Sequence, residues 1–140
     1  MTSPVYALSL RQPWAALLAT GLKTVEVRHW PTACRGHVLI HAARRGDPRP
    51  QPWTRVTAAI RALAELRGGI IGEGDLVGCL SYDDAERFAG DRDRHLNDPS
   101  WFEPPILYGF SFRSLRVVAF RALAGNTRFF RVPDLEREQQ

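Results

Sequence analysis

Long apolar runs, cysteines and lysines are all scarce in this chain of 140 residues. No run approaches the roughly 18 apolar residues that a membrane-spanning helix needs, and residues 1–4 lack the basic stretch and apolar core of a signal peptide. The two cysteines and four histidines form no C-x-x-C or H-x-x-H spacing, which argues against a disulfide framework and a metal site. We therefore expect a cytoplasmic protein that uses no metal or other cofactor and does not contact a membrane.

The composition is that of a globular protein. Hydrophobic residues make up 44% of the chain and charged residues 24%, which excludes a disordered chain because such chains have few apolar residues. There are no internal repeats and no linker long enough to separate domains. We expect one domain over residues 1–140, with a frayed tail at 134–140.

The basic residues are almost all arginine: Lys23 is the only lysine beside 18 arginines. Arginine stays protonated whereas lysine can lose its proton and act as a base, although GC-rich codon usage also explains the excess of arginine. Residues 44–68 hold six arginines and residues 113–131 hold five, whereas residues 83–103 hold seven acids and three arginines. This segregation suits a polyanion on one side of the protein; a simple solvated surface is the alternative.

Short β-rich runs punctuated by glycine and proline dominate the secondary-structure pattern. A helix is expected to begin at Gln12-Pro13-Trp14 and to end at Gly21, and a second is expected over 53–67. Strands are predicted at 5–10, 24–28, 37–43, 70–72, 76–82, 106–112 and 115–122, with a short final one at Phe129-Phe130. This pattern predicts an α+β, mostly β fold: a small barrel of about six strands with two to three helices on its rim.

One acid and two bases meet where the first helix gives way to the next strand. Glu26 and Arg28 project from the same strand face, with Cβ atoms roughly 7 Å apart, and Lys23 lies at the turn before them. Glu26 can hold both cations, whose spare donors can meet a phosphate or a carbonyl oxygen. A desolvated Lys23 would have a lowered pKa and could act as a general base. The alternative is a surface ion pair of little energetic value.

Two further segments carry polar residues near this point. In residues 9–15 a strand runs directly into the helix, so Gln12 can hydrogen-bond a base edge and Trp14 can stack on one; core packing of Trp14 is the alternative. In residues 35–42, His41 lies on the strand face opposite Val38 and Ile40. It can face a cleft or serve as a hydrogen-bonded structural histidine.

Together these segments resemble the activating-signal-cointegrator-homology (ASCH) domain, of the PUA-like superfamily of small β-barrels. The resemblance rests on residues 8–15, on the G-x-K-x-x-E-x-R run of residues 21–28, and on Arg35-Gly36 followed by residues 39–42. It implies a cleft beside the first helix that binds RNA or a modified nucleoside. The ligand-binding residues it implies are Ser9, Arg11, Gln12, Trp14, Lys23, Arg28, Arg35 and His41.

The resemblance also implies a hydrolase as an alternative function. Some small bacterial members remove acetyl from N4-acetylcytidine, and ribonuclease activity is attributed to the family. Lys23 matches the active lysine of the hydrolases, but Glu26 stands where they place a threonine nucleophile, with Thr24 nearby. The candidate catalytic residues are thus Lys23, Thr24, Glu26 and Arg28, with Lys23 activating water as general base. A second alternative is a protein-interaction module, in which the arginine-rich helix from Trp53 docks on an acidic partner.

Overall fold

Six strands form one mixed sheet in the computed structural model, which describes the backbone of residues 2–138 and the side chains of residues 4–132. The strands are β1 (Thr2–Leu10), β2 (Val25–Arg28), β3 (Gly36–Ala42), β4 (Gly69–Tyr82), β5 (Leu107–Ala122) and β6 (Phe130–Glu138). Their order is β2-β5-β4-β3-β1-β6. Strand β1 runs parallel to β3, and every other neighbouring pair is antiparallel.

The predicted mostly β fold with about six strands is confirmed, although the sheet is not closed. Within residues 2–138 no ladder joins β6 to β2, the two ends of the strand order. The word barrel therefore describes the curvature of this fold only loosely.

The helices within residues 2–138 are all short. They are α1 (Trp14–Ala19), α2 (Pro50–Trp53), α3 (Arg61–Ala64), α4 (Ala85–Gly90) and α5 (Arg92–His95), with 3₁₀ turns at Ala58–Ile60 and Pro99–Trp101. In that part of the chain no helix has the length and apolarity needed to cross a membrane.

Helix α1 packs directly on the sheet and forms the centre of the core. All six of its residues are buried, and they pack with apolar side chains from β1, β3, β4 and β5. Leu17 is fully buried, and truncating such a leucine to alanine typically costs about 2–5 kcal/mol. As the sequence indicates, Gly21 ends this helical segment with a positive φ of 78°. Closing the helix there turns the chain into β2, which brings Lys23 next to Trp14.

The predicted helix over 53–67 is wrong, because the segment is broken. Pro50 and Pro52 suit the first turn of a helix, so α2 forms earlier than predicted and ends at Trp53. Thr57 then adopts an extended conformation, as β-branched residues often do. Val56 is buried as expected, but no continuous arginine-rich helix exists to dock on an acidic partner.

Two predicted breaks in strands are also wrong. Strand β4 runs through the expected turn at Gly74-Asp75, and β5 runs through the expected gap after Phe112. A Cβ at Gly74 would lie 2.6 Å from Leu115 Cδ2, so this glycine allows a close approach between strands rather than a turn. The pairing of β4 with β5 contains a β-bulge at this point, where the register shifts between Glu73 and Asp75.

The last strand extends the sheet close to the end of the chain. The backbone of β6 continues to Glu138 and pairs with β1, with Thr2 opposite Glu138. Residues 139–140 lie outside the described residues.

Candidate functional site

A cavity of about 760 Å³ opens beside α1, between the ends of β1 and β2 and two loops. We call it the main cavity. Six of the residues singled out from the sequence line it: Ser9, Arg11, Trp14, Lys23, Glu26 and Arg28. The structure thus brings the ammonium, carboxylate and guanidinium groups together in one hollow rather than spreading them over open surface.

Lys23 forms the floor of the main cavity, with 1% of its surface exposed. Its Nζ donates to the backbone carbonyl of His95 at 2.8 Å and lies 3.2 Å from Glu26 Oε1. The same Nζ lies 4.3 Å from the centre of the Trp14 ring, a cation–π distance. Burial lowers the pKa of Lys23, and the attraction of Glu26 offsets part of that effect.

Glu26 links the lysine to Arg28. Its Oε2 accepts a hydrogen bond from Arg28 Nε at 2.9 Å, while Arg28 Nη2 donates to the backbone carbonyl of Ser9 at 2.8 Å. The guanidinium therefore connects β2 to the end of β1 and is held in one orientation. Because the Arg28 side chain remains 17% exposed, it can also reach a ligand in the cavity.

A second charged group stands opposite, on the loop after β3. Asp47 Oδ2 accepts from Trp14 Nε1 at 2.8 Å and from Arg49 Nη2 at 2.7 Å. Burial of this carboxylate opposes its ionisation, but hydrogen bonds from Arg49 and Trp14 prevail and lower the pKa of Asp47 to about 2. Arg49 in turn lies 3.7 Å from the ring centre of Trp101. This wall therefore presents the Arg49 guanidinium, which Asp47 and the Trp101 ring hold in place.

The main cavity continues into a shallower space of about 410 Å³, which we call the arginine groove. The two spaces share Ser9, Ala43, Asn126 and Thr127, and the groove adds Arg44 and Arg45 to their walls. Both arginines are exposed, and among the described residues neither forms a salt bridge. The groove is thus a basic extension of the main cavity.

His41 belongs to the structure beneath that groove. Its Nε2 lies 2.6 Å from the carbonyl of Leu123 and must donate to it, so Nδ1 accepts from Ser9 Oγ at 2.9 Å. The residue is 1% exposed, and both ring nitrogens are occupied. This arrangement favours the structural interpretation of His41 over ligand binding.

Gln12, Thr24 and Arg35 do not line the main cavity. The Gln12 side chain is fully buried, with its amide donating to the carbonyls of Leu63 and Leu66 and its Oε1 accepting from Ala16 N. Gln12 thus connects residues 63–66 to α1, and its amide has no N–H group left to donate to the edge of a base.

The other two residues are displaced for different reasons. Thr24 is held by its backbone, which bonds to Arg94 and Phe112. Arg35 lies at a separate cavity near Tyr6. Of the four candidate catalytic residues, the structure therefore brings Lys23, Glu26 and Arg28 together at the main cavity and leaves Thr24 outside its lining.

Sequence reasoning missed several polar lining residues that lie in loops, most of them far from residues 9–28 in the sequence. They are His29, Asp47, Arg49, Asn97, Asn126 and Thr127. Polar residues in loops on a rigid scaffold commonly carry binding functions, and the Asp-Pro-Arg run at 47–49 offered such a signal. Within residues 2–138 no cluster of three or more histidine, cysteine or acidic side chains is arranged to hold a metal ion.

Comparison with known proteins places this site in a family. The human and mouse proteins named Activating signal cointegrator 1 are each 39% identical across 54% of this chain, which matches 14% of their own length. The crystal structure of ASCH from Zymomonas mobilis has a TM-score of 0.66 at 16% identity, covering 92% of this chain and 87% of that one. A crystal structure of a mutant of that protein gives a TM-score of 0.65, covering 92% and 88%.

These structural matches show a shared fold, and the sequence match shows the family. The family model of the ASCH domain matches residues 8–111, which include α1 and the Lys23–Glu26–Arg28 network. The chain therefore belongs to the ASCH domain family.

Proposed function

We propose that this domain binds single-stranded RNA by taking one nucleobase, plain or modified, into the main cavity. The observation that carries the proposal is the chain of contacts from Lys23 through Glu26 to Arg28, which places a carboxylate and a guanidinium side by side at the cavity wall. The volume of about 760 Å³ lies within the roughly 300–1,000 Å³ typical of small-ligand sites.

The polar wall suits the edge of a base. Each Glu26 oxygen accepts one hydrogen bond within the protein, and an ionised carboxylate has further lone pairs to accept a ring or exocyclic N–H. Arg28 uses Nε and Nη2 within the protein, which leaves Nη1 to donate to a base carbonyl. Neighbouring acceptor and donor groups match the alternating N–H and C=O groups of a base edge.

A guanidinium plane backed by aromatic rings supports the same interpretation. Trp14 lines the main cavity, and Trp101 lies edge-on to it with ring centres 6.3 Å apart. Single-stranded RNA is recognised by splaying bases out and stacking them on aromatic or arginine planes. Arg49, lying over Trp101, offers such a plane beside the cavity.

The arginine groove supplies the complementary charge for the backbone. Arg44 and Arg45 stand next to the cavity mouth, and Arg11 lies on its rim. Contacts from arginine to phosphate release counterions and dominate affinity for nucleic acids. A base in the main cavity would therefore leave its flanking phosphate over the groove.

Blocking the cavity mouth tests this proposal. Thr127 is exposed and lines both spaces, so Thr127→Trp should fill the entrance without disturbing the core. We expect labelled RNA oligonucleotides to bind at least about tenfold more weakly, the loss of roughly one stacked base. Thr57→Trp, at an exposed residue outside the cavity lining, is the matched control. Equal RNA affinity of the two variants would contradict base insertion.

Hydrolysis of an N-acylated nucleoside is a second candidate, favoured by the lowered pKa of Lys23. A neutral Lys23 would take a proton from water, and the resulting hydroxide would attack the acyl carbonyl while Arg28 stabilises the oxyanion. Collapse would break the C–N bond, with the proton returning from Lys23 to the leaving amine. Acetate release from N4-acetylcytidine should then be lost in Lys23→Arg; an unchanged rate would remove the lysine from the reaction. Loss in Thr24→Ala would indicate a threonine nucleophile instead.

A further inference from the structure

A separate cavity of about 680 Å³ lies between the start of β3, β1 and Phe129. We call it the loop cavity, because the loop of residues 29–35 forms one wall. It shares no lining residue with the main cavity.

The loop cavity carries an oriented cation. Arg35 Nη1 donates to the backbone carbonyls of Thr32 at 3.0 Å and Cys34 at 2.7 Å. These two bonds fix the plane of the guanidinium and leave Nε and Nη2 available. Among the described residues no carboxylate forms a salt bridge with Arg35, so its charge is not neutralised and suits an anion such as phosphate.

Two aromatic rings border the same space. Tyr6 lines the cavity from β1 and is 39% exposed, so part of its ring is open to a ligand. Phe129 lines the cavity from the other side and stacks on Phe110, with ring centres 5.7 Å apart. Because Phe110 supports one face of the Phe129 ring, the other face can stack on a flat ligand without rearranging the core.

A continuous line of arginine and tryptophan connects the loop cavity to the main cavity. The guanidinium of Arg28, in the main cavity, lies 5.9 Å from the Trp30 ring centre. Arg128 lies 4.6 Å from the same ring, and Trp30 meets Phe129 edge-on at 5.9 Å. Arg128 is exposed and forms no salt bridge among the described residues. The surface between the two cavities is therefore cationic and aromatic.

We propose that the loop cavity is a second nucleotide subsite, with a base beside Tyr6 and Phe129 and its phosphate on Arg35. This inference rests on the proposed function. It names the ligand as a single strand of several nucleotides that spans both cavities, rather than a free nucleoside. Arg128 and Trp30 hold the intervening backbone.

A length series of RNA oligonucleotides tests the second subsite. Binding of a dinucleotide and of a hexanucleotide is measured for the wild type, Arg35→Gln and Tyr6→Leu at one salt concentration. Arg55→Gln is the matched control, since Arg55 is exposed and lies outside the lining of either cavity. We expect Arg35→Gln and Tyr6→Leu to weaken hexanucleotide binding about tenfold and to leave dinucleotide binding unchanged.

The outcomes separate this inference from the proposed function. If the hexanucleotide binds both variants as tightly as it binds Arg55→Gln, the second subsite is wrong while base insertion in the main cavity stands. If wild type binds neither oligonucleotide, the proposed function fails as well. If a glutamate-rich peptide binds the wild type and loses affinity in the same two variants, the loop cavity takes an acidic peptide and the RNA assignment is overturned.

Protection of Cys34 gives an independent readout of location. Cys34 lines the loop cavity and is half-buried, and burial raises the pKa of its thiol although Arg35 opposes the shift. In a Cys79→Ala background, alkylation at mildly alkaline pH should be slowed by the hexanucleotide and not by the dinucleotide. Equal rates with and without the hexanucleotide would place the strand elsewhere.

Discussion

Lys23 Nζ and the backbone carbonyl of His95 lie 2.8 Å apart, joining two residues separated by 72 positions in the sequence. The same carbonyl accepts from Asn97 Nδ2 at 2.9 Å. The His95 ring is also fixed, with Nε2 on the carbonyl of Phe88 and Nδ1 accepting from Asn97 N. The acidic segment of residues 83–103 therefore meets the lysine through its backbone, while the carboxylate partner comes from Glu26.

Removing the lysine should destabilise the fold. Lys23→Ala leaves Glu26 with one cation fewer and leaves the His95 carbonyl with one donor fewer in a buried place. Breaking a buried pair in this way typically costs about 3–5 kcal/mol, and chemical denaturation measures it. The control is Arg87→Gln, which removes an exposed pair with Asp83 at 3.6 Å and should cost less than about 1 kcal/mol. Similar losses in the two variants would show that the Lys23 network contributes little.

Asp47 should make stability depend on acid pH. Its pKa is lowered from 3.8 to about 2 in the folded protein, so the unfolded state binds more protons as the pH falls. The stabilisation is complete above about pH 4 and disappears as the pH drops towards about 2. At neutral pH, Asp47→Asn should therefore lose about 2 kcal/mol. Denaturation curves should converge with those of the wild type under acid conditions; a constant difference would contradict this origin.

Gly125 should be intolerant of a side chain. A Cβ there would lie 2.6 Å from His41 Cε1 and 2.9 Å from His41 Nδ1, and the ring cannot retreat because both nitrogens are bonded. Gly125→Ala should cost about 1–3 kcal/mol and weaken RNA binding by displacing Asn126 and Thr127. Gly90→Ala, where a Cβ meets nothing within 4 Å, is the control for thermal unfolding and binding. A Gly125→Ala variant with unchanged melting and affinity would show that the loop shifts freely.

The arginine groove should determine the salt dependence of RNA binding. Plots of log K against log salt should become shallower by about one for each arginine removed in Arg44→Gln and Arg45→Gln. Arg55→Gln, at an exposed position outside the groove, should keep the slope of the wild type. Fluorescence polarisation at several salt concentrations measures all three. Slopes unchanged by the groove variants would move the phosphate contacts elsewhere.

The part of the site that the sequence predicts best is residues 13–28, where neighbouring residues determine the local conformation. The proline before α1, the positive φ of Gly21 and the alternation of residues 24–28 are short-range signals. They were enough to place Lys23, Glu26 and Arg28 together. The six-stranded, mostly β fold also followed from strand and turn patterns.

The remainder depends on contacts between distant segments. No local pattern predicts that the Gln12 amide donates to the backbone carbonyls of Leu63 and Leu66. Nor does any local pattern predict that Asp47 accepts a hydrogen bond from the Trp14 ring. The prediction of a helix over 53–67 is wrong because the spacing of apolar residues does not show that Thr57 interrupts the helix. Gly74 predicts a turn in the sequence, but in the structure it leaves room for the Leu115 side chain on the neighbouring strand. The sequence alone does not distinguish a glycine that forms a turn from one that lets a neighbouring side chain come close.

Helix α1 rests on β4 with almost no space between them, since a Cβ at Gly72 would lie 2.6 Å from Ala19 Cβ. A helix seated so closely has no room to slide or tilt over the sheet. Trp14, the first residue of this helix, is therefore held in place at the cavity wall. Adaptation to ligands of different shape falls to the two loops that carry Asp47 and Thr127, which makes them the segments to redesign for altered selectivity.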